Sequence, residues 1–342
     1  MSTSGRWLNG LALLAVAAAG VAVVAKNYEG DTSHRILNVS YDPTRELYAD
    51  LNPQFIGAYG RDTGNKLTLK QSHGGSSRQA RSVISGVEAD VVTLALPSDI
   101  DGLQKQGLVA AGWRDRLPNH SQPYTSTIVF VVRRGNPKGI HDWPDLVTGN
   151  VAVITPNPKT SGNGKLSLLA AWGSVLYRGG TEAQALDFVR KLYQHVPVLG
   201  TGSRDSTTTF TEDKVGDVHL TWENEALRET DESRGDLEIV RPPVSIRAEP
   251  SVAWVDTVVA RRGTAAYAKA YLEFLFTPAA QETMARDGYR PIDPEVISRH
   301  VDRLPPLNLF SVTLVAKDWD DAQAKFFAEN GVFDVIQGLK RK

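Results

Sequence analysis

The sequence of 342 residues contains no cysteine. This absence excludes thiol catalysis, cysteine-ligated zinc sites, disulfide bonds and attachment of a lipid to an N-terminal cysteine. A domain of this size does not need disulfide bonds to be stable. The sequence also lacks an excess of basic residues, since its formal net charge is −1. Nucleic-acid-binding proteins usually concentrate Lys and Arg, so the charge balance argues against a nucleic-acid partner.

The sequence also has no apolar run of the usual length of a membrane span. Its apolar segment at residues 11–25 has 15 residues, whereas a spanning helix needs about 20. The segment follows one basic residue, Arg6, and ends with Val23 and Ala25 at positions −3 and −1 of a candidate cleavage site. This pattern is typical of a secretory signal peptide. We therefore expect a signal peptide at residues 1–25 and a periplasmic location, with an uncleaved anchor as the alternative.

Strand patterns and helix patterns alternate along the chain. Strands are predicted at residues 36–41, 65–72 and 89–99, and each is followed by a loop and a helical pattern. The first of these helices is predicted to begin with Asp42 as its N-cap and Pro43 as its first residue. Repetition of strand, loop and helix predicts an α/β protein with mostly parallel sheets flanked by helices.

Two β-branched runs, residues 126–137 and 252–263, each end in a basic pair and a turn. A second α/β set lies between them, which predicts a second lobe joined to the first by two crossing strands. The C-terminal residues 319–342 have the pattern of an amphipathic helix that docks on the first lobe. The predicted organisation is lobe 1 at residues 33–123 and 253–342, and lobe 2 at residues 124–252.

Four loops share one chemistry, because each is rich in Ser, Thr, Asn, Asp or Gly and adjoins the start of a predicted helix. They are residues 42–43, 72–77, 156–164 and 201–209. The first N–H groups of a helix have no acceptor within the helix and carry a partial positive charge. Ligands in open α/β sheets bind at the carboxyl ends of the strands, where such loops meet. The loops therefore predict a pocket for an anion.

One of these loops ends like a Walker A motif, G-x-x-x-x-G-K-[ST]. Lys159 stands where the first glycine belongs, and Leu166 follows Lys165 where Ser or Thr belongs. The sequence therefore does not predict a nucleotide-binding loop.

An enzyme is the main alternative class, and a secreted ester hydrolase is its most specific form. His73 next to Ser72 is the only pair that suggests a base beside a nucleophile. The acids of Trp222–Glu225 are better explained as the first turn of a helix. His141–Trp143 predicts a helix cap rather than a metal site. We expect no metal, no cofactor and no catalytic residue.

Several long motifs resemble those of the periplasmic sulfate-binding proteins that supply ABC transporters. They are YDPTRELY (41–48), QSHGGSS (71–77), TPNPKTSGNGK (155–165) and GDVHLTWENEAL (216–227). The resemblance extends from Ile36 to the C-terminal helix. It implies the two-lobed type II periplasmic-binding-protein fold and a monomer whose lobes close over a dehydrated sulfate. It also implies two partners, a membrane permease and its cytoplasmic ATPase.

The resemblance further implies a set of hydrogen-bond donors to the anion. They are the backbone N–H groups of Asp42, Ser76, Gly162, Asn163 and Ser203, the hydroxyl of Ser161 and the indole of Trp222. Two of these residues depart from the family pattern, because Asn163 stands where a second glycine is frequent and Ser203 where a small apolar residue is common. Both act through backbone N–H groups, so we expect both roles to persist. Thiosulfate-binding relatives carry the same Ser-Gly-Asn sequence, which leaves thiosulfate as the alternative ligand.

A pocket of donors only suits sulfate, which has no proton to donate at neutral pH. Hydrogen phosphate would need an acceptor, and we expect none if the carboxylate of Asp42 turns away to cap its helix. Lys165 need not reach the ligand. Arg204 is expected to fix its own loop through a carboxylate.

Overall fold

The computed structural model describes residues 35–338, so the predicted signal peptide lies outside the described residues. The strands are β1 (Arg35–Tyr41), β2 (Thr68–Gly74), β3 (Val91–Leu94), β4 (Tyr124–Thr125), β5 (Ile128–Arg133), β6 (Val153–Pro156), β7 (Leu199–Gly200), β8 (Val218–Trp222), β9 (Leu237–Val240), β10 (Ser245–Ile246), β11 (Ser251–Trp254), β12 (Arg290–Pro291) and β13 (Leu309–Phe310). The helices are α1 (Arg45–Thr63), α2 (Ser76–Ile84), α3 (Pro97–Lys105), α4 (Pro118–Ser121), α5 (Gly162–Tyr177), α6 (Glu182–Gln194), α7 (Ser203–Thr211), α8 (Glu223–Glu232), α9 (Asp256–Arg262), α10 (Ala265–Phe274), α11 (Pro278–Arg286), α12 (Pro294–Arg299), α13 (Trp319–Ala322) and α14 (Val332–Ile336). No helix within residues 35–338 is both long and apolar enough to cross a membrane.

The first sheet has the strand order β11-β3-β1-β2. Strand β1 is parallel to β2 and β3, with Ile36 opposite Leu69 and Val39 opposite Val92, and β11 is antiparallel to β3. Helices α1, α2, α3 and α10 pack on this sheet. We call the sheet with its helices the first lobe. Every residue of the central strand β3, VVTL, is buried, as expected for a strand whose faces are covered by helices.

The second sheet has the strand order β7-β6-β8-β5-β9. Strand β6 is parallel to β7 and β8, whereas β5 is antiparallel to β8 and β9. This sheet is therefore mixed, which differs from the expectation of a mostly parallel sheet. Helices α5, α7 and α8 pack on it, and together they form the second lobe. Helix α5 begins within the loop segment at residues 156–164, with Ser161 as its N-cap.

Two neighbouring segments connect the lobes. The chain enters the second lobe between β4 and β5 and returns between β10 and β11. Ser126 N donates to Ala248 O at 3.2 Å, and Ala248 N donates to Ser126 O at 2.8 Å. Thr127 Oγ1 also donates to Ile246 O at 2.7 Å. The two connections therefore run side by side as a hydrogen-bonded pair.

Only the beginning of the predicted strand run at residues 252–263 forms a strand. After β11 the chain turns into α9, which has Asp256 in its first turn and Arg261 and Arg262 in its last turn. These charges complement the helix dipole, and Gly263 ends the helix with φ 68°. The β-branched residues of this run led to the prediction of a strand. The acidic residue at the start of α9 and the basic residues at its end favour a helix instead.

The C-terminal segment differs from its prediction in shape and in position. It is broken into α13, a π-helical turn at Gln323–Phe327, and α14. It packs on the second lobe, where Phe326 lies 5.0 Å from Trp172 and Phe333 lies 5.3 Å from Tyr193, centroid to centroid. The sequence predicted docking on the first lobe, but these aromatic contacts bury the segment in the core cluster of α5 and α6.

Candidate anion-binding site

The four predicted loops meet where the two lobes touch. A Cβ placed on Gly75 would lie 2.5 Å from Thr160 O of the opposite lobe. Likewise, a Cβ on Gly162 would collide with Ala95, and one on Gly202 would collide with the carboxylate of Asp42. The lobes are thus closed on each other, and glycine is needed at each contact because backbone approaches backbone or side chain too closely for a Cβ.

Three helices begin at this junction. Ser76 is the first residue of α2 after its N-cap Gly75, and Ser203 is the first residue of α7 after its N-cap Gly202. Gly162 and Asn163 are the first two residues of α5. The N–H groups at these positions have no acceptor in their own helices, and the helix dipoles concentrate positive potential there. The arrangement offers positive potential from backbone groups to an anion.

Trp222 provides the most informative atom of the site. It ends β8, is fully buried, and its Nε1 has no hydrogen-bond partner among residues 35–338. An indole N–H can only donate. A buried donor without an acceptor costs about 1–3 kcal/mol. Its ring packs 5.3 Å from that of Tyr41 of the first sheet, centroid to centroid, so this orphan donor lies where the two lobes meet. It points to an acceptor that is not part of the described chain.

The hydroxyl groups of Ser161 and Ser76, both at the junction, form different hydrogen bonds. Ser161 Oγ accepts a long hydrogen bond from Gly164 N at 3.5 Å, which leaves its own proton available to donate. Ser76 Oγ donates to Asp99 Oδ2 at 2.6 Å and accepts from Ala95 N at 2.9 Å. Because that hydroxyl proton is taken, only the backbone N–H of Ser76 can serve a ligand.

Asn163 fits its position without strain. Its Nδ2 donates to Leu220 O at 3.3 Å and its Oδ1 accepts from Ser167 Oγ at 3.1 Å, so the side chain is held inside the second lobe. Its φ is not positive. Asparagine can therefore replace glycine here, because the backbone is helical and the side chain points away from the junction.

Asp42 does not cap its helix, and the prediction of that role is wrong. Residues Asp42–Thr44 form a 3-10 turn with Tyr41 as the N-cap, and α1 begins only at Arg45. The carboxylate instead lies against Gly202, 3.8 Å from Arg45, and burial raises its pKa. The turn is tied by Thr44 Oγ1, which donates to Tyr41 O at 2.7 Å. A hydrogen-bond acceptor therefore lies at the lobe junction. The expected exclusion of hydrogen phosphate required that the pocket contain no acceptor, so that expectation loses its basis.

Ion pairs connect the lobes on both sides of the junction. On one side, Lys165 Nζ of α5 lies 3.2 Å from Asp99 Oδ1 of α3, with both side chains buried. On the other side, Glu46 of α1 pairs with Arg204 at 2.9 Å and with Arg228 at 2.5 Å. Arg204 is bound by a carboxylate as expected, but that carboxylate belongs to the opposite lobe rather than to its own loop. Sequence reasoning missed Asp99, Glu46 and Arg228, since nothing local marks a partner so distant along the chain.

The side chains proposed for an enzyme do not form a catalytic group. His73 Nε2 is buried without a hydrogen-bond partner in the described chain, and burial lowers the pKa of His73 to about 4. Ser72 Oγ accepts from Gln79 Nε2 at 3.1 Å. Glu223 is bound by Arg241 at 3.0 Å and by Arg290. Residues 35–338 contain no cluster of His, Asp or Glu that could hold a metal ion, and Asp142 caps the turn at Trp143–Val147 as predicted.

Glu225 is the second acid of the Trp222–Glu225 stretch, and it lies in the first turn of α8. It accepts from Arg228 at 2.9 Å. Burial raises the pKa of Glu225 to about 7, although Arg228 opposes this effect. Both acids of the stretch are therefore bound by arginines rather than paired with each other.

Comparison with known proteins identifies the family. The sequence profile of bacterial extracellular solute-binding proteins matches residues 37–290. The chain is 48% identical over 333 residues to the sulfate-binding protein of Salmonella typhimurium, covering 97% of this chain and 98% of that protein. It is 49% identical over 303 residues to the thiosulfate-binding protein of Pseudomonas aeruginosa, covering 88% of this chain and 91% of that protein.

A solved structure extends the comparison to the fold. The sulfate-binding protein SubI from Mycobacterium tuberculosis matches with a TM-score of 0.77 and 31% identity, covering 86% of this chain and 99% of that one. The two-lobed type II periplasmic-binding-protein fold is therefore established. The chain belongs to the bacterial extracellular solute-binding protein family, together with the named sulfate-binding and thiosulfate-binding proteins.

Proposed function

We propose that the protein is an exported receptor that binds sulfate between its lobes and delivers it to an ABC importer. The observation that carries this proposal is the buried indole N–H of Trp222, which has no partner in the described chain and whose ring packs on Tyr41, the residue before the Asp42 turn. A buried donor in such a place is explained by an anionic ligand that accepts from it.

The proposed ligand contacts are all hydrogen-bond donors. They are the backbone N–H groups of Asp42, Ser76, Gly162, Asn163 and Ser203, the hydroxyl of Ser161 and the indole of Trp222. At about 1.5–3 kcal/mol for each bond to a charged acceptor, they contribute roughly 10–20 kcal/mol. Lobe closure and the lost freedom of the ligand consume part of this energy. A dissociation constant of about 1 μM or lower, near −8 kcal/mol, is consistent with the remainder.

The remaining parts of the proposal concern organisation and transport. We place the lobe boundaries near residues 123/124 and 252/253, and we assign the C-terminal segment from Leu309 to the second lobe because of its aromatic contacts there. The protein acts as a monomer in the periplasm after removal of residues 1–25. It has no enzymatic activity, and its partners are the permease and ATPase subunits of the importer.

Thiosulfate is the second candidate ligand. The specific observation in its favour is that the chain is as similar to a named thiosulfate-binding protein, at 49% identity, as to a named sulfate-binding protein, at 48%. A secreted ester hydrolase is a weaker alternative, because His73 and Ser72 do not form a dyad.

Isothermal titration calorimetry tests the proposal. The purified protein, freed of bound oxyanions by dialysis, is titrated in turn with sulfate, thiosulfate, molybdate and phosphate. We expect sulfate to bind one to one at micromolar concentration or below. Tighter binding of thiosulfate than of sulfate would change the proposed ligand to thiosulfate but would keep the proposed site. No heat of binding from either anion, or sustained hydrolysis of a sulfate ester, would overturn the proposal.

A further inference from the structure

The ammonium group of Lys165 has two partners at the interface of the lobes. Its Nζ lies 3.2 Å from Asp99 Oδ1 and donates to Gln323 Oε1 at 2.7 Å. The Phe327 ring centroid is 5.6 Å from the same atom. Only 3% of the lysine is exposed. A buried ammonium group must be paired and hydrogen-bonded. The oxygen atoms of Asp99 and Gln323 therefore both hold Nζ in its position.

These two partners belong to different parts of the molecule. Asp99 lies in α3 of the first lobe, where its carboxylate also accepts from Ser76 Oγ at 2.6 Å and Ser77 Oγ at 2.9 Å. Gln323 lies in the C-terminal segment, whose aromatic side chains pack on α5 and α6 of the second lobe and whose Asp320 also forms an exposed ion pair with Lys105 of α3. We expect Gln323 to remain with Lys165 if the lobes separate, because the aromatic contacts are buried, whereas an exposed ion pair contributes little.

The backbone explains why Gln323 reaches the lysine. Gln323–Phe327 is a π-helical turn in which Ala328 N donates to Gln323 O at 2.9 Å. The wider turn brings the amide of Gln323 and the ring of Phe327 to the same ammonium. Turns of this kind often occur at functional positions.

We propose that Gln323 is a positioning residue that keeps Lys165 Nζ aimed at Asp99 while the lobes are open. This inference rests on the proposed function. A lysine that is already ordered loses little side-chain freedom when the ion pair forms, so closure over the anion becomes more favourable. The neutral amide of Gln323 suits a positioning role. It orders the lysine side chain but leaves the positive charge available for the ion pair with Asp99.

A glutamate at position 323 would order the same ammonium but would also satisfy its charge in the open state. The glutamate would then compete with Asp99 for the Lys165 ammonium. Lobe closure would therefore be less favourable in free energy. Gln323→Glu is therefore expected to weaken sulfate binding, although it preserves the size of the side chain and the hydrogen bond to Lys165. A purely structural role of Gln323 would make this substitution harmless.

The test is a double-mutant cycle on sulfate affinity, measured by calorimetry. Gln323→Met removes the acceptor and should weaken binding by roughly five- to thirty-fold, equivalent to about 1–2 kcal/mol. In a Lys165→Met background the same change should have no further effect, because Gln323 acts through the lysine. Gln337→Met, at an exposed position of the same C-terminal segment, is the matched control and should bind like the parent protein. An equal loss in both backgrounds, or unchanged affinity of Gln323→Met, would overturn the inference.

A second measurement does not depend on the ligand. In ¹⁵N NMR spectra of the sulfate-free protein, the Lys165 ammonium should give a signal protected from exchange with water, identified by its absence in Lys165→Met. That signal should persist in Gln323→Glu and be lost in Gln323→Met. Its presence in Gln323→Met would contradict the positioning role. If the parent protein binds no sulfate, the proposed function fails, and this spectrum still decides the role of Gln323.

Discussion

The rings of Tyr41 and Trp222 lie 5.3 Å apart, centroid to centroid, across the junction of the two lobes. Tyr41 is the last residue of β1 in the first sheet, and Trp222 is the last residue of β8 in the second. The carboxyl ends of two interior strands are therefore in contact, which is where ligands of α/β sheets bind. This contact also holds the indole in place at the lobe junction.

The first prediction concerns the glycine contacts between the lobes. Gly162→Ala places a methyl group where Ala95 of the opposite lobe stands, so the lobes cannot close fully. Overpacking of this kind costs about 1–3 kcal/mol, and we expect sulfate affinity to fall by a similar free energy. Calorimetry measures the affinity, and urea unfolding of the ligand-free protein should show little change.

Gly102→Ala is the matched control for this substitution. Gly102 lies in α3, and its added methyl group would meet no atom within 4 Å. Alanine is favoured over glycine in a helix by about 0.5–1 kcal/mol. We expect this variant to be slightly more stable and to bind sulfate normally. Normal affinity in Gly162→Ala would show that closure at this contact does not matter.

The second prediction concerns Asp42. Its proposed contribution to the ligand is a backbone N–H, while its carboxylate lies against Gly202. Asp42→Asn retains the N–H and removes a negative charge near the bound dianion. We therefore expect sulfate affinity to remain within about tenfold of the parent protein, equivalent to about 1.4 kcal/mol, or to increase, because the N–H is kept and a like charge is removed. A loss of more than a hundredfold in calorimetry would assign the role to the carboxylate.

The third prediction concerns the pH dependence of stability, on which Glu225 and His73 act in opposite directions. The pKa of Glu225 is raised from 4.5 to about 7, so its contribution to stability is lost as pH rises through that range. The pKa of His73 is lowered from 6.5 to about 4, so its contribution is lost as pH falls through that range. The two effects should largely cancel between pH 4.5 and 6.5.

Single substitutions should reveal the two opposing slopes. Replacing His73 by Gln should leave a free energy of unfolding that falls as pH rises from 4.5 to 7. Replacing Glu225 by Gln should leave a free energy of unfolding that rises as pH rises from 4 to 6.5. Urea unfolding of the ligand-free protein at several pH values measures both. The same profile in the parent protein and both variants would contradict the titration of these buried groups.

The sequence predicted the parts of the site that depend on local chemistry. The loops at residues 72–77, 156–164 and 201–209 were predicted to adjoin helix starts, and α2, α5 and α7 begin within them. Asp42 was mispredicted because its capping competes with a turn fixed by Thr44. Contacts such as Arg204 with Glu46, 158 residues apart, depend on lobe closure and leave no local pattern. The position of the C-terminal segment likewise depends on which core accepts Phe326 and Phe333.

The proposed function depends most on the indole of Trp222, which would donate to a bound oxyanion. The structure offers a close control in Trp172, which is also buried with an Nε1 that lacks a partner in the described chain, but which packs on Phe326 away from the lobe junction. Phenylalanine at either position deletes one such donor and keeps most of the apolar volume. The two variants therefore differ mainly in where the donor is lost.

Calorimetric titration with sulfate of Trp222→Phe, Trp172→Phe and the parent protein is the most direct test. Trp222→Phe should weaken sulfate binding by about 1.5–3 kcal/mol, roughly ten- to 150-fold, with little change in the stability of the ligand-free protein. Thiosulfate, whose terminal sulfur is a poorer acceptor, should lose less if that sulfur faces position 222. Trp172→Phe should bind sulfate like the parent protein. Unchanged affinity in Trp222→Phe, or an equal loss in both variants, would contradict a hydrogen bond from this indole to the anion.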